Sequence, residues 1–141
     1  MCRCHRRAFM ALAGGFLAFG GAAASASGNR AHFIAEAFRM KREAMAAGDQ
    51  PYGAVVVLAE TIVGYGPSQV VAKADPDAHA ERVALRDAQG RLGRADLSRA
   101  VLYSTSRPCR DCERAASAAR ISRLHFGPDG TDAGAPRPLA G

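Results

Sequence analysis

The first 26 residues contain no acidic side chain. All 13 acids lie after Ser27, whereas three of the 19 basic residues, Arg3, Arg6 and Arg7, come before it. The formal charge of +6 therefore overstates the remainder of the chain, which carries only +3. A domain that mildly basic offers no general electrostatic attraction for nucleic acid. Long hydrophobic runs are also missing. The longest, Ala8 to Ala24, is about 17 residues diluted by glycine, at the short end for crossing a bilayer. Cysteine is sparse: of four, Cys2 and Cys4 fall at the very start, which leaves Cys109 and Cys112 for the body of the chain. Two thiols allow one disulfide at most, which excludes a cross-linked framework. A length of 141 residues gives room for one domain with a real core, and nothing marks a second.

What the beginning has instead is the pattern of an address. Met1 to Arg7 is basic, Ala8 to Ala24 is apolar and rich in Ala and Gly, and Ala24-Ser25-Ala26 offers a small-x-small cleavage site before Ser27. The pair Arg6-Arg7, followed by Ala8-Phe9-Met10, resembles a twin-arginine export signal. Residues 1–26 are accordingly read as a cleaved signal peptide, 27–127 as the folded domain and 128–141 as a C-terminal tail. The expected location is the periplasm, with no stable membrane span after cleavage. Cys2, Cys4 and His5 fall in the removed segment, where they make a poor metal site. Two free thiols in an oxidising compartment are exposed to disulfide formation. A thiolate metal site is therefore best assembled in the reducing cytosol, and the twin-arginine route exports folded proteins.

Along the remainder, Ser27-Gly28-Asn29 reads as a loop. Phe33, Ile34, Ala37, Phe38 and Met45 recur at helical intervals between Arg30 and Ala47, with Phe33 and Phe38 as core packing and Gly48 as the stop. Gly53 to Ala59 is a nearly unbroken valine-rich run and Thr61 to Gly64 resumes it, a buried hairpin. Gly64 to Asp77 reads as loop, His79 to Gln89 as a helix and Arg99 to Ser104 as a strand. A second helix follows from Cys109 to about Arg120, then a strand from Ile121 to Phe126. The last segment, Gly127 to Gly141, has several prolines and glycines and no period, the pattern of a surface tail. This alternation implies helices packed on a sheet, with ligands outside the strand ends. Arg91, Arg94, Arg99, Arg107, Arg110 and Arg114 read as an ordinary solvated face.

The chemistry is concentrated in two short stretches, His79-Ala80-Glu81 and Pro108-Cys109-Arg110-Asp111-Cys112. Together they hold one imidazole, two thiols and one carboxylate that is not needed as a ligand. Structural zinc sites close with four protein ligands, whereas three leave a position for water and mark a catalytic site. Cys109 and Cys112 at i and i+3 share one face of a helical turn, and the preceding proline suits a helix start. A helix start lowers thiol pKa and favours the thiolate that zinc requires. His79 and Glu81 at i and i+2 point to different sides of a regular helix, so one of them must occupy the cap. Two helix starts facing one zinc ion is the implied arrangement.

His-x-Glu followed by Pro-Cys-x-x-Cys is the signature of zinc nucleobase deaminases, and the chain resembles the cytidine and deoxycytidylate deaminase superfamily from about Ala31 to Gly127. It is most similar to the branch holding guanine deaminases and bacterial tRNA adenosine deaminases. Pro51-Tyr52-Gly53-Ala54-Val55-Val56-Val57, Asp75-Pro76-Asp77-Ala78, Val101-Leu102-Tyr103 and Ile121 to Gly127 add to the likeness. The resemblance implies an α/β, three-layer cytidine-deaminase-like fold, a mixed β-sheet flanked by helices. It implies one zinc ion held by His79, Cys109 and Cys112, and Glu81 as the proton carrier in a hydrolytic deamination of a base, nucleoside or related heterocycle that releases ammonia. Gly53, Ala54, Ser68 and Ala80 are the implied substrate contacts. The partner is then a small molecule rather than a nucleic acid, and a homodimer is implied because relatives commonly form dimers or larger assemblies. Two departures stand out: Ser68 replaces an asparagine that holds the base or sugar, and Arg107 replaces a glutamate before Pro-Cys. A helix that often covers the pocket in relatives also has no counterpart after Gly127.

Two other classes use part of the pattern. A thiol-disulfide oxidoreductase places Cys-x-x-Cys at a helix start after a strand, but leaves His79 and Glu81 without a role and lacks a later proline in the expected strand context. A degenerate deaminase fold kept as a binding module draws support from Ser68 and Arg107.

Overall fold

Strand β1 (Gly53–Leu58) is the spine of the molecule, because both of its faces are buried. The computed structural model describes residues 22–138; most of the expected export leader, residues 1–21, lies outside the described residues. On one face of β1, Val55 and Val57 pack with Phe33, Ala37, Met40 and Tyr103. On the other, Ala54 and Val56 join Ala80, Ala84, Leu85, Leu102 and Ala116. That alternation, invisible in an unbroken valine run, produces three layers: helix α1 (Ala22–Ala46), the sheet, and helices α2 (Ala80–Leu92) and α3 (Arg110–Ala118).

The sheet has five strands in the order β2-β1-β3-β4-β5. β1 pairs antiparallel with β2 (Thr61–Pro67) and with β3 (Val101–Ser104). β3 then runs parallel to β4 (Arg123–Phe126), with α3 as the connection. This is the mixed sheet flanked by helices that the resemblance implied. The C-terminal end of β3 and the start of β1 share one border of the sheet, since Ala54 is the register partner of Ser104.

The structure differs from the sequence reading in three respects. Helix α1 begins at Ala22 and runs through Ser27-Gly28-Asn29, which were expected to be loop. Alanine is the strongest helix former and no proline interrupts the run, so nothing stops the helix from extending backwards. Its buried stripe is Phe33, Ala37, Met40 and Ala44, whereas Met45 is 54% exposed and Phe38 is half-buried beneath Lys41. A stripe at i, i+4, i+7 and i+11 leaves both outside. Finally, the segment expected to be an irregular tail contains β5 (Thr131–Gly134), paired antiparallel with β4. Four residues are too few for a period to show.

α2 is seated unusually close to the sheet. A Cβ at Gly66 would lie 2.1 Å from the Ala80 carbonyl oxygen, and one at Gly64 would lie 2.4 Å from that of Ala84. Glycines on β2 thus face the alanine stripe Ala80, Ala84 and Ala88. The Gly66→Ala substitution therefore has to push α2 outward at the turn that follows His79. Overpacking of this kind costs about 1–3 kcal/mol; the expected outcome is a lowered melting temperature together with weakened zinc binding, measured on the same preparation. A variant with wild-type melting and zinc content would show that the seat is not tight.

Candidate metal centre and active site

His79 is the N-cap of α2, with extended backbone (φ −61°, ψ 151°), and Cys109 is the N-cap of α3 (φ −68°, ψ 168°). The cap position frees His79 from the helical direction that Glu81 follows one turn-step later. Its Nδ1 lies 3.6 Å from Cys109 Sγ and 3.4 Å from Cys112 Sγ. One donor atom from each of His79, Cys109 and Cys112 falls within 4.8 Å of the other two. Cys109 is held locally: its sulfur accepts the Cys112 amide at 3.4 Å, a side-chain cap that fixes both thiols on one face. Acidic Asp111 and Glu113 in the same first turn complement the helix dipole.

The donor set is one imidazole nitrogen and two sulfurs, with no fourth protein ligand in the group among the described residues. That chemistry fits zinc and leaves one coordination position open. Both cysteines are free thiols, and the imidazole beside both sulfurs gives His79 the role that a thiol-disulfide centre leaves empty.

Glu81 stands apart from the ligand trio. The residue is buried, with 5% of its surface exposed, its charge acts on Cys112, and its Oε1 accepts the Ser104 hydroxyl at 2.8 Å. Ser104 is itself buried at the end of β3. A charge-assisted hydrogen bond of this kind contributes about 1.5–3 kcal/mol, enough to fix one oxygen and leave the other for chemistry. The Cys112 thiol is pushed far above its ordinary value, first by burial and then by the charge of Glu81. The helix start was expected to lower it. Burial beside a carboxylate outweighs the partial charge of a helix end, and a cation between the sulfurs supplies the missing compensation.

The substrate contacts implied by the resemblance have the following surroundings. Ser68 is buried, and its hydroxyl donates to Asp49 Oδ1 at 2.9 Å. Ala80 is packed in the core over Gly66. Gly53 lets α1 approach, since a Cβ there would lie 2.2 Å from Ala37 oxygen. Ala54 is likewise core, although its register with Ser104 puts it at the border of the site.

Two residues that sequence reasoning missed shape the surroundings. Ser104 is one, an ordinary strand-end serine until its partner is seen. Asp49 is the other: its carboxylate accepts the amides of Gln50 (2.8 Å), Val71 (3.0 Å) and Ala72 (2.8 Å) as well as the Ser68 hydroxyl. It thereby pins the loop that ends at His79, which closes through Gln69 N–H to Ala78 oxygen at 3.0 Å. Burial alone would raise the Asp49 pKa, but the bonds from Ala72, Gln50, Ser68 and Val71 together hold it below the usual carboxylate range.

Residues 27–128 match the family model for the cytidine and deoxycytidylate deaminase zinc-binding region. The chain belongs to this family. It is 41% identical over 80 residues to the tRNA-specific adenosine deaminase of Buchnera aphidicola subsp. Schizaphis graminum, covering 57% of this chain and 53% of that protein. Guanine deaminase of Bacillus subtilis is 35% identical over 106 residues, covering 74% of this chain and 68% of that protein. The crystal structure of that guanine deaminase superposes with a TM-score of 0.66 at 34% identity, over 68% of this chain and 62% of that one. The chain spans about half the length of the Buchnera deaminases it matches.

Two outcomes are expected. Zinc added to metal-free protein releases protons near neutral pH, including the one carried by Cys112, and Cys112→Ser abolishes stoichiometric binding; a pH-indicator titration with metal analysis checks both. For Asp49 the folded pKa is depressed, so its stabilisation is present above the ordinary carboxylate range and is lost as pH falls through the folded value. Asp49→Asn should therefore melt lower than the wild type at pH 7 and lose less stability on acidification below about pH 4, as read from thermal melts across that range.

Proposed function

We infer that the chain is a zinc-dependent hydrolytic deaminase of an amino-bearing nucleobase, nucleoside or related heterocycle. The observation that carries this reading is a buried carboxylate, Glu81, placed against Cys112 but outside the ligand trio and held through one oxygen by Ser104. Family membership and the named activities of the two relatives support it.

His79, Cys109 and Cys112 would hold the zinc ion. When bound, zinc supplies Lewis acidity that makes a water available as hydroxide near neutral pH. Glu81 would take one proton from that water and pass it to the ring nitrogen as the oxygen adds to the amine-bearing carbon; it would then carry the second proton, from the new hydroxyl, to the amine, which leaves as ammonia. Ser104 keeps the carboxylate from turning away between the two transfers. The buried start of β1 and the Gly64/Gly66 seat of α2 hold these groups on regular elements rather than on free loops.

Zinc-loaded protein incubated with a panel of bases and nucleosides should release ammonia from at least one. Glu81→Gln should retain one zinc per chain and lose turnover, because the amide occupies the same space but cannot accept a proton and pass it on. A fully active E81Q protein would defeat the assignment. Ser104→Ala should lower kcat about tenfold with zinc content unchanged, and Ser104→Thr should restore most of it. The basic-then-apolar pattern of residues 1–26 supports an exported deaminase; cell fractionation with detection of a shortened chain tests that location.

A further inference from the structure

The α1 face of the sheet carries an opening of its own. A cavity of about 890 Å³ is floored by Phe33 of α1, Val57 of β1, and Val101 and Tyr103 of β3. All four belong to the apolar cluster on that face. Side chains alternate along a strand, so Tyr103 faces this side while Ser104, the next residue, turns to Glu81 of α2 on the other. The sheet therefore stands between the cavity and the metal centre.

Tyr103 is the group that packing alone does not explain. Only 8% of its surface is exposed, and its hydroxyl has no hydrogen-bond partner among the described residues. No fully buried polar atom among those residues lacks a partner, so the phenol oxygen reaches open space, and the opening it borders is this cavity. The ring itself is clamped, tilted against Phe33 at 5.6 Å between centroids and stacked on His125 at 4.9 Å. Burial pushes its pKa above the ordinary value, so the hydroxyl is a donor at neutral pH. A donor held that deep is costly unless something accepts from it. Charge around the opening is uneven as well. Glu60 accepts the Asn29 side-chain amide at 2.9 Å, and Asp96 accepts the Ser98 amide at 2.7 Å and pairs with Arg120 at 3.3 Å. Both acids on the lining are thus engaged within the protein. Arg94 and Arg99 are exposed on the same lining and have no ion pair among the described residues. Guanidinium forks match a carboxylate in pairs.

We propose that this cavity is a second binding site, taking a small flat aromatic carboxylate that carries a carbonyl acceptor. The ring lies on the apolar floor, where aromatic edges and faces pack against Phe33 and Tyr103. The carboxylate meets Arg94 and Arg99, and the carbonyl accepts the Tyr103 hydroxyl. The space suits such a molecule, since small-molecule sites occupy roughly 300–1,000 Å³. A neutral aromatic would leave both guanidiniums unmatched, and a cation would be repelled by them. None of His79, Glu81, Ser104, Cys109 or Cys112 lines the cavity, so the site stands whether or not the metal centre turns over a substrate.

The test is isothermal titration calorimetry of the full zinc-loaded chain with 6-acetyl-2-naphthoate. A neutral analogue, with hydroxymethyl in place of the carboxylate, should bind about tenfold more weakly or worse. The double variant Arg94→Gln/Arg99→Gln should weaken the acid by about the same factor and leave the neutral analogue unchanged. Tyr103→Phe keeps the ring stack and removes only the hydroxyl. It should weaken the acetyl acid about fivefold and leave 2-naphthoate, which has no acetyl group, unaffected. The single exposed variant Arg94→Gln should weaken the acid without lowering the melting temperature, which separates binding from folding. The proposal is overturned if the acid does not bind, or if the neutral analogue binds as tightly. It is equally overturned if the control Arg42→Gln/Arg110→Gln, at exposed arginines outside the cavity, weakens the acid as much. An acid that keeps wild-type affinity for every cavity variant is bound elsewhere, at the zinc ion for instance, and that result overturns it too.

Discussion

The close seat of α2 on β2 is the constraint on which the site depends. Glycine at 64 and 66 removes the side chains that would otherwise hold the helix away, and the alanine stripe of α2 fills the space down to backbone contact. A helix seated that tightly has one rotation about its axis, since any other would drive a larger side chain into β2. That rotation decides where His79 and Glu81 point. The metal centre thus inherits its geometry from packing several residues away, and α3 meets it with a cap that is fixed by its own Cys112 amide.

Within the site the dominant problem is buried charge. A carboxylate and a thiol lie together in the interior, and burial together with the carboxylate's charge makes ionisation of the Cys112 thiol harder. Left alone this arrangement is costly; with a divalent cation held by the imidazole and both sulfurs it becomes favourable, and burial then strengthens the interaction. Ser104 resolves the remaining freedom of the carboxylate. The same logic recurs at Asp49, where four donors converge on one side chain and give the loop before His79 a fixed path. Neither device is large, yet together they fix the carboxylate and the loop that leads into α2.

How much of this was legible depended on the separation between partners. The Cys-x-x-Cys pair reads as one helical face because i and i+3 are neighbours by helix geometry alone. The conflict between His79 and Glu81 was resolved on paper in the same way, by placing one at a cap. The valine run announced a buried strand, but not that Val55 and Val57 face α1 while Ala54 and Val56 face α2. Four-residue β5 left no trace, for so short a strand is stabilised by its neighbour β4 and not by its own pattern.

From the sequence alone come the donor types, the two capped helix starts, the spare acid and the family likeness, because each rests on residues close together in the chain. Tertiary structure decided the rest. It turned the Ser68 hydroxyl to Asp49, gave Glu81 its serine, and set Phe33 against Tyr103 on the floor of one cavity. These are contacts between residues 19 or more positions apart, and such pairs meet only where the sheet order and the packing of helices bring them together.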